Sequence, residues 1–263
     1  MILSQPRNNQ KDPVNQGEHF DTDNVQVRSI IEGINMTASA LNGDLDHRVA
    51  ADSSAQDWEE SPGGEVLRKR LHRVGPAESG QVTSIVRYQP GSQFPAHAHP
   101  EGEEILVLEG VFSDEHGDWP AGSYLLNPEG FSHGPFSKDG CLLFVKLRQF
   151  PGDTRNHIAL DTNESEWRSS VRPGVSWKKL YAQKPFNDHM RLERWSTPEN
   201  VGVLNFPQGA ELFVLDGEFA DDHGTYPRHC WLRLPPGSSL SPQGNSPCEL
   251  YIKEGGFSYL REA

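Results

Sequence analysis

The sequence predicts an all-β protein built as two tandem antiparallel jelly-roll barrels, and three observations carry that expectation. Turn residues are dense, with 25 Gly and 20 Pro in 263 residues. They separate short apolar runs, the pattern of strands joined by turns. The chain is also written twice: residues 97–147 laid over 204–254 at a constant offset of 107 need no gap and give about 19 identities in about 51 positions. Two units of roughly 90 residues are too long and too few for a solenoid, but they suit small barrels.

In chain order, residues 1–40 read as a flexible N-terminal extension, rich in Asn, Gln, Asp and Lys with few apolar anchors, although Val25, Ile30, Ile31 and Ile34 allow a short helix over Val25–Leu41. Residues 41–150 form the first domain, with strands expected at Thr83–Tyr88, Glu104–Leu108, Ser123–Leu126 and Leu142–Leu147. Residues 151–164, beginning Pro151-Gly-Asp-Thr-Arg, are a linker, and 165–263 form the second domain. The copies align as Glu104-Ile-Leu-Val-Leu-Glu-Gly110 with Glu211-Leu-Phe-Val-Leu-Asp-Gly217, and as Asp114-Glu-His-Gly117 with Asp221-Asp-His-Gly224.

A net charge of -13 argues against nucleic acid, whose phosphates are met by basic surfaces. No apolar run reaches the length of a membrane span and the N-terminus lacks a signal-peptide core, so no membrane partner is expected and the cytoplasm is the expected location. Three cysteines without a CxxC pair predict reduced thiols.

The chemistry is concentrated in Gly91-Ser-Gln-Phe-Pro-Ala-His97-Ala-His99-Pro-Glu-Gly-Glu103 and in Gly122 through His133. Histidines at i and i+2 of a strand share a face. Glu103 returns after a turn, and His133 follows a Pro-x-Gly turn some thirty residues on. Three imidazoles and a carboxylate make a complete inner sphere for one divalent metal. The second copy serves as an internal control, because a residue kept in both units serves the fold while one confined to a single unit is free to serve a site. At the positions of His97, His99, Glu103 and His133 the second copy has Leu204, Phe206, Ala210 and Leu240, which cannot bind metal. The second barrel is therefore expected to be a packed, metal-free partner.

The same control assigns Cys141 (Cys248), His116 (His223), Arg87 (Arg194) and Glu104 (Glu211) to structural roles. The His229-Cys230 pair lacks further ligands and is not expected to bind metal. Asn127 and Phe136 become Leu234 and Gln243 in the second copy, which marks them, together with Tyr124, as candidates for the ligand pocket beside the metal.

These residues resemble the two cupin motifs. The first, Gly, five residues, His-x-His, three residues, Glu, six residues, Gly, is met by Gly91, His97, His99, Glu103 and Gly110. The second, Gly, five residues, Pro-x-Gly, two residues, His, is met by Gly122, Pro128, Gly130 and His133, with Ser137 in place of the usual closing Asn. The wording from Glu103 to Gly117 and from Gly140 to Leu147 is similar to the ChrR-type cupins, a group that includes the cupin domain of the zinc anti-sigma factor and resembles acetylacetone-cleaving dioxygenases. The resemblance implies two cupin barrels, only the first bearing metal. A sigma-binding helical domain would carry its own His and Cys zinc ligands, but residues 1–55 hold no cysteine and only His19 and His47. Direct sigma-factor binding by that route is not expected.

A site of three histidines and one carboxylate suits Zn or Fe first, with Mn, Ni and Cu also compatible, since no thiolate biases it toward a closed zinc site. The bound ion would keep positive charge and open positions for a small-molecule ligand or oxidant. Two functions follow. One is a sensor or regulatory module that responds to a small molecule. The other is a non-haem iron dioxygenase cleaving a small β-dicarbonyl or related ketone. A homodimer through exposed strand edges is a further expectation.

Overall fold

Alternating apolar residues bounded by glycine turns give extended backbone almost throughout the part of the chain that the computed structural model describes, residues 40–62 and 64–263. The expected extension and short helix fall outside this range except at their last residues, where Ala40 and Leu41 are a strand. The first repeat supplies β1 (Ala40–Leu41), β2 (Val49–Asp52), β3 (Glu59–Glu60), β4 (Val66–Val74), β5 (Gln81–Tyr88), β6 (His97–Ala98), β7 (Glu103–Asp114), β8 (Gly117–Pro120), β9 (Ser123–Asn127), β10 (Ser132–His133) and β11 (Cys141–Leu147). The second supplies β12 (Ile158–Asp161), β13 (Arg168–Ser169), β14 (Val175–Ala182), β15 (His189–Trp195), β16 (Leu204–Phe206), β17 (Ala210–Asp221), β18 (Gly224–Pro227), β19 (Cys230–Leu234), β20 (Ser238–Leu240) and β21 (Cys248–Glu254).

Two large antiparallel sheets run β1-β4-β5-β11-β7-β9-β12 and β13-β14-β15-β21-β17-β19-β2, and each repeat adds a two-stranded sheet, β6 with β10 and β16 with β20. The sheets exchange strands. β12 lies in the segment expected to be a linker, yet it pairs with β9 of the first repeat, from Ile158 opposite Leu126 to Asp161 opposite Ser123. Reciprocally, β2 pairs with β19 of the second repeat, Asp52 opposite Cys230 and Val49 opposite Arg233. Ser123 and Cys230 are equivalent positions of the duplication, so the two exchanges are one interaction made twice. Each covers a sheet edge that would otherwise expose unpaired backbone groups.

The period of two sorts side chains between three cores. Odd positions of β7 and β11, including Ile105, Val107, Leu143 and Val145, face the interior of the first barrel. Even positions, including Leu106, Leu142 and Phe144, join Leu180, Met190, Leu192, Phe213, Trp231 and Tyr251 in a core shared by both repeats. Phe144 stacks on Phe213 with centroids 4.2 Å apart. Each such side chain contributes roughly 1.5–3 kcal/mol on full burial, enough to hold the barrels as one body. A third core fills the second barrel and includes Leu204, Phe206, Ala210 and Leu240.

A polar centre crosses the shared core. Glu104 accepts from the hydroxyls of Tyr124 (2.6 Å) and Tyr251 (2.8 Å). Glu211, its counterpart, accepts from Trp231 Nε1 (2.9 Å) and from Lys146, with Lys253 Nζ 3.8 Å away. Burial pushes the Glu104 carboxyl up. It also opposes the Glu211 carboxylate, but Lys146 and Lys253 outweigh it and hold that group down to about 2. Burial lowers Lys146 to about 8 against the attraction of Glu211. Glu104 and Glu211 thus persist in both copies because they make the interface.

Candidate metal centre

The first barrel brings together residues from four segments. β6 and β10 pair with His97 directly opposite His133, and His99 N donates to Phe131 O (2.8 Å) just beyond the pair. The turn Pro100-Glu101-Gly102 then leads into β7. Gly102 has φ +71, and a Cβ there would lie 2.9 Å from the carbonyl oxygens of Asn127 and Phe150, so only glycine fits. Glu103 follows as the first residue of β7 and faces inward with Ile105, while Glu104 faces the other barrel.

His99 Nε2 lies 2.9 Å from His133 Nε2. Glu103 Oε2 lies 3.4 Å from the first and 3.5 Å from the second. The ring nitrogens of His97, His99 and His133 fall within 4.8 Å of one another, the one group of three such donors among the described residues. Donors held about 2.0–2.2 Å from one ion sit about 3.0–3.5 Å from each other at octahedral or tetrahedral angles, and the separations among His99, Glu103 and His133 match. His99, Glu103 and His133 are buried and His97 is more exposed. Such a set of clustered imidazoles suggests a metal ion, and the donors present fit one.

The far nitrogens of His97 and His133 are held as metal-binding histidines require. His97 Nδ1 contacts Pro95 O (2.9 Å) and His133 Nδ1 contacts Asp114 Oδ2 (2.9 Å). Asn127 Nδ2 donates to Glu103 Oε2 (3.0 Å). Burial opposes the imidazolium at both His99 and His133. At His99 it prevails and lowers the pKa; at His133 the Asp114 hydrogen bond and the carboxylates of Glu103, Asp114 and Glu115 outweigh it and raise the pKa.

Above this cluster lies a cavity of about 220 Å³ whose wall is mostly apolar, including Val66, Val86, Tyr88, Phe94, Ile105, Phe112 and Leu143, together with Arg68, Arg70 and Arg148. Of the three expected pocket residues, Asn127 touches Glu103 and does not line the cavity. Tyr124 is 0% exposed in the core between the repeats, because its even strand position points it at Glu104. Phe136 bridges Gln93 and Ser113 and is 39% exposed, so it also lies off the cavity. Asp114 escaped the sequence reading because Asp221 repeats it. Both accept the backbone N–H two residues on, of His116 (2.9 Å) and of His223 (2.8 Å), a turn device. In the first repeat the second oxygen holds His133, and in the second it is taken by Arg48.

Arg87, Arg194, Cys141, Cys248 and the His229-Cys230 pair pack in the protein interior or on its aromatic rings. Arg87 and Arg194 stack over Trp58 (4.4 Å) and Trp167 (4.2 Å). Cys141 and Cys248 are buried, which pushes their thiols up to about 11 and about 12. His229 stacks on Phe213 with the rings 8° apart, and Cys230 belongs to the second-barrel core.

Two barrels of this topology with an imidazole cluster inside one define a two-domain cupin. The sequence pattern of the ChrR Cupin-like domain matches residues 46–151 and again 155–258, and the chain belongs to that family. No curated protein matches it. Among solved structures it is similar to a candidate dioxygenase from Nostoc punctiforme PCC 73102 (TM-score 0.62, 16% identity, 81% of this chain and 84% of that one). It is also similar to the Escherichia coli pirin YhhW in complex with nickel(II) (0.57, 15%, 80% and 99%) and to a formate complex of Lactobacillus farciminis oxalate decarboxylase (0.56, 12%, 82% and 89%). At these identities the likeness is one of fold. Among the described residues no helix is long and apolar enough to cross a membrane.

Proposed function

We propose that the first barrel binds one divalent metal through His97, His99, Glu103 and His133 and acts on a small organic molecule held in the cavity, as a non-haem iron dioxygenase of a β-dicarbonyl or related ketone. The observation that supports this reading most directly is the cavity of about 220 Å³ opening on the donor cluster. A centre that answered only to an oxidant would need the metal and an exchangeable position, not a walled pocket. The ion, when bound, would polarise a ligand oxygen and offer open positions for oxygen. The protein's own part is positioning and exclusion. Asp114 keeps the His133 ring turned inward, Asn127 keeps Glu103 Oε2 aimed at the cluster, and Tyr88, Phe94 and Phe112 keep water from the bound ligand.

Membership of the ChrR-like family favours a second reading, a regulatory module in which the same pocket senses a small molecule. Metal analysis of protein purified without added metal, followed by oxygen uptake with pentane-2,4-dione and related diketones, separates the two. Uptake that requires iron supports the enzyme. Zinc as purified with no turnover in any metal form removes it in favour of the sensor.

A further inference from the structure

Three arginines line the cavity, two from β4 and one immediately after β11. Arg68 and Arg70 are already engaged: both bind Glu78 (2.6 and 3.2 Å) and Arg70 also binds Glu59. Arg148 is not. Its backbone is anchored, N–H to Gly102 O (2.9 Å) and carbonyl to Gln81 Nε2 (2.6 Å). Its guanidinium has no hydrogen-bond or ion-pair partner among the described residues.

The backbone supplies an independent observation. Arg148 has φ +60, in the left-handed region that disfavours side chains. The equivalent residue of the second repeat is Gly255, with φ +75. Four described non-glycine residues have positive φ: Asn42, Glu101, Arg148 and His229. Asn and His tolerate the region better than other side chains, and Glu101 binds Arg261. Among the described residues Arg148 alone keeps a long side chain at a glycine position without a hydrogen-bond or ion-pair partner, and that side chain lines the cavity of the repeat that carries the imidazole cluster. A strained residue held at a cavity points to a ligand.

We propose that Arg148 anchors the carboxylate of a small organic acid, whose apolar body lies against Val86, Ile105 and Leu143 while its far end reaches the His97–His99–His133 cluster. A guanidinium pairs a carboxylate through two parallel hydrogen bonds, and a single free guanidinium in a mostly apolar wall matches a monoanion. This rests on the metal-centre reading and narrows its substrate class to acids, such as a ketone that carries a carboxylate. Arg148 is a ligand-positioning residue.

The test is calorimetric titration of the full chain, zinc-loaded and metal-free, with benzoate, 3-phenylpropanoate and 4-methylpentanoate, each against its primary amide. At least one acid is expected to bind the zinc-loaded protein ten-fold or more tightly than its amide. In Arg148→Gly that preference disappears, zinc stoichiometry is kept and Tm is unchanged or higher, because glycine relieves the left-handed backbone. Arg148→Lys retains a reduced preference. The proposal is overturned if no acid outbinds its amide in the wild type, if R148G keeps the preference, or if R148G loses stability or zinc, which would assign Arg148 a structural role. A wild type that takes up no zinc counts against the metal centre alone, and the acid preference and its loss in R148G are then read on the metal-free chain.

Discussion

At the same four positions one barrel carries His97, His99, Glu103 and His133, and the other carries Leu204, Phe206, Ala210 and Leu240. The first set surrounds a cavity, while the second is buried at 7%, 2%, 0% and 1% exposure in an apolar core. The strand order is the same in both, down to the exchanged edge strand, apart from the short β3 that pairs with β4 only in the first. A cupin barrel therefore does not need the polar cluster in order to fold, and the cluster in the first barrel costs that barrel apolar packing that the second keeps.

The largest expected effect tests this contrast directly. His99→Ala removes a donor from the centre of the cluster, and bound metal is expected to fall to near zero by elemental analysis while the melting curve stays cooperative. Metal retained at full stoichiometry would break the comparison. In the second barrel Phe206→Ala should leave metal content unchanged and cost about 3–5 kcal/mol in denaturant unfolding, the usual penalty for emptying a buried aromatic site. Stoichiometric metal loss from that change would show that the second barrel is not a metal-free partner.

A smaller effect separates the two repeated aspartates. Asp114→Asn is expected to weaken metal binding about 10–100-fold, as loss of the group orienting a ligand histidine does, whereas Asp221→Asn should leave metal affinity unchanged. Equal metal affinity in the two variants would mean that Asp114 acts only in its turn.

The smallest effect concerns the interface both barrels share. Glu211 is held down to about 2, so the folded protein binds fewer protons there than the unfolded chain, and this contribution is present above about pH 4.5 and lost as pH falls toward 2. His72, lowered by burial to about 4, acts in the same direction between pH 6.5 and 4. Lys146, lowered to about 8, adds stability as pH rises from about 8 to 10.5. Melting temperature should therefore fall between pH 6.5 and 3. Glu211→Gln should flatten the part of that fall below pH 4.5, and a curve unchanged by that substitution would remove the buried pair from the account.

Much of the fold was legible from local pattern. Period-two alternation and glycine turns located β5, β7, β9 and β11 to within a few residues, although β7 runs on to Asp114 because its far half pairs with β8. Comparing the copies sent Glu104, Arg87 and His116 to structural duties; Glu104 lies in the shared core and Arg87 stacks over Trp58. The same comparison hid Asp114, since a residue can serve a turn in both copies and a histidine in only one. It also marked Asn127 and Phe136 as pocket candidates, although neither lines the cavity, because a position that differs between repeats need not face it.

By itself the sequence determined the duplication, the strand-and-turn framework and which repeat carries the histidines, since these depend on residue type and near-neighbour spacing. Tertiary structure decided which barrel each leading strand completes, which aspartate oxygen is free to reach His133, and that Arg148 lines the cavity with no ion-pair partner among the described residues. Those outcomes depend on groups far apart in the chain: β2 meets β19 across some 180 residues, and no local pattern encodes what a side chain will find on the other side of a sheet.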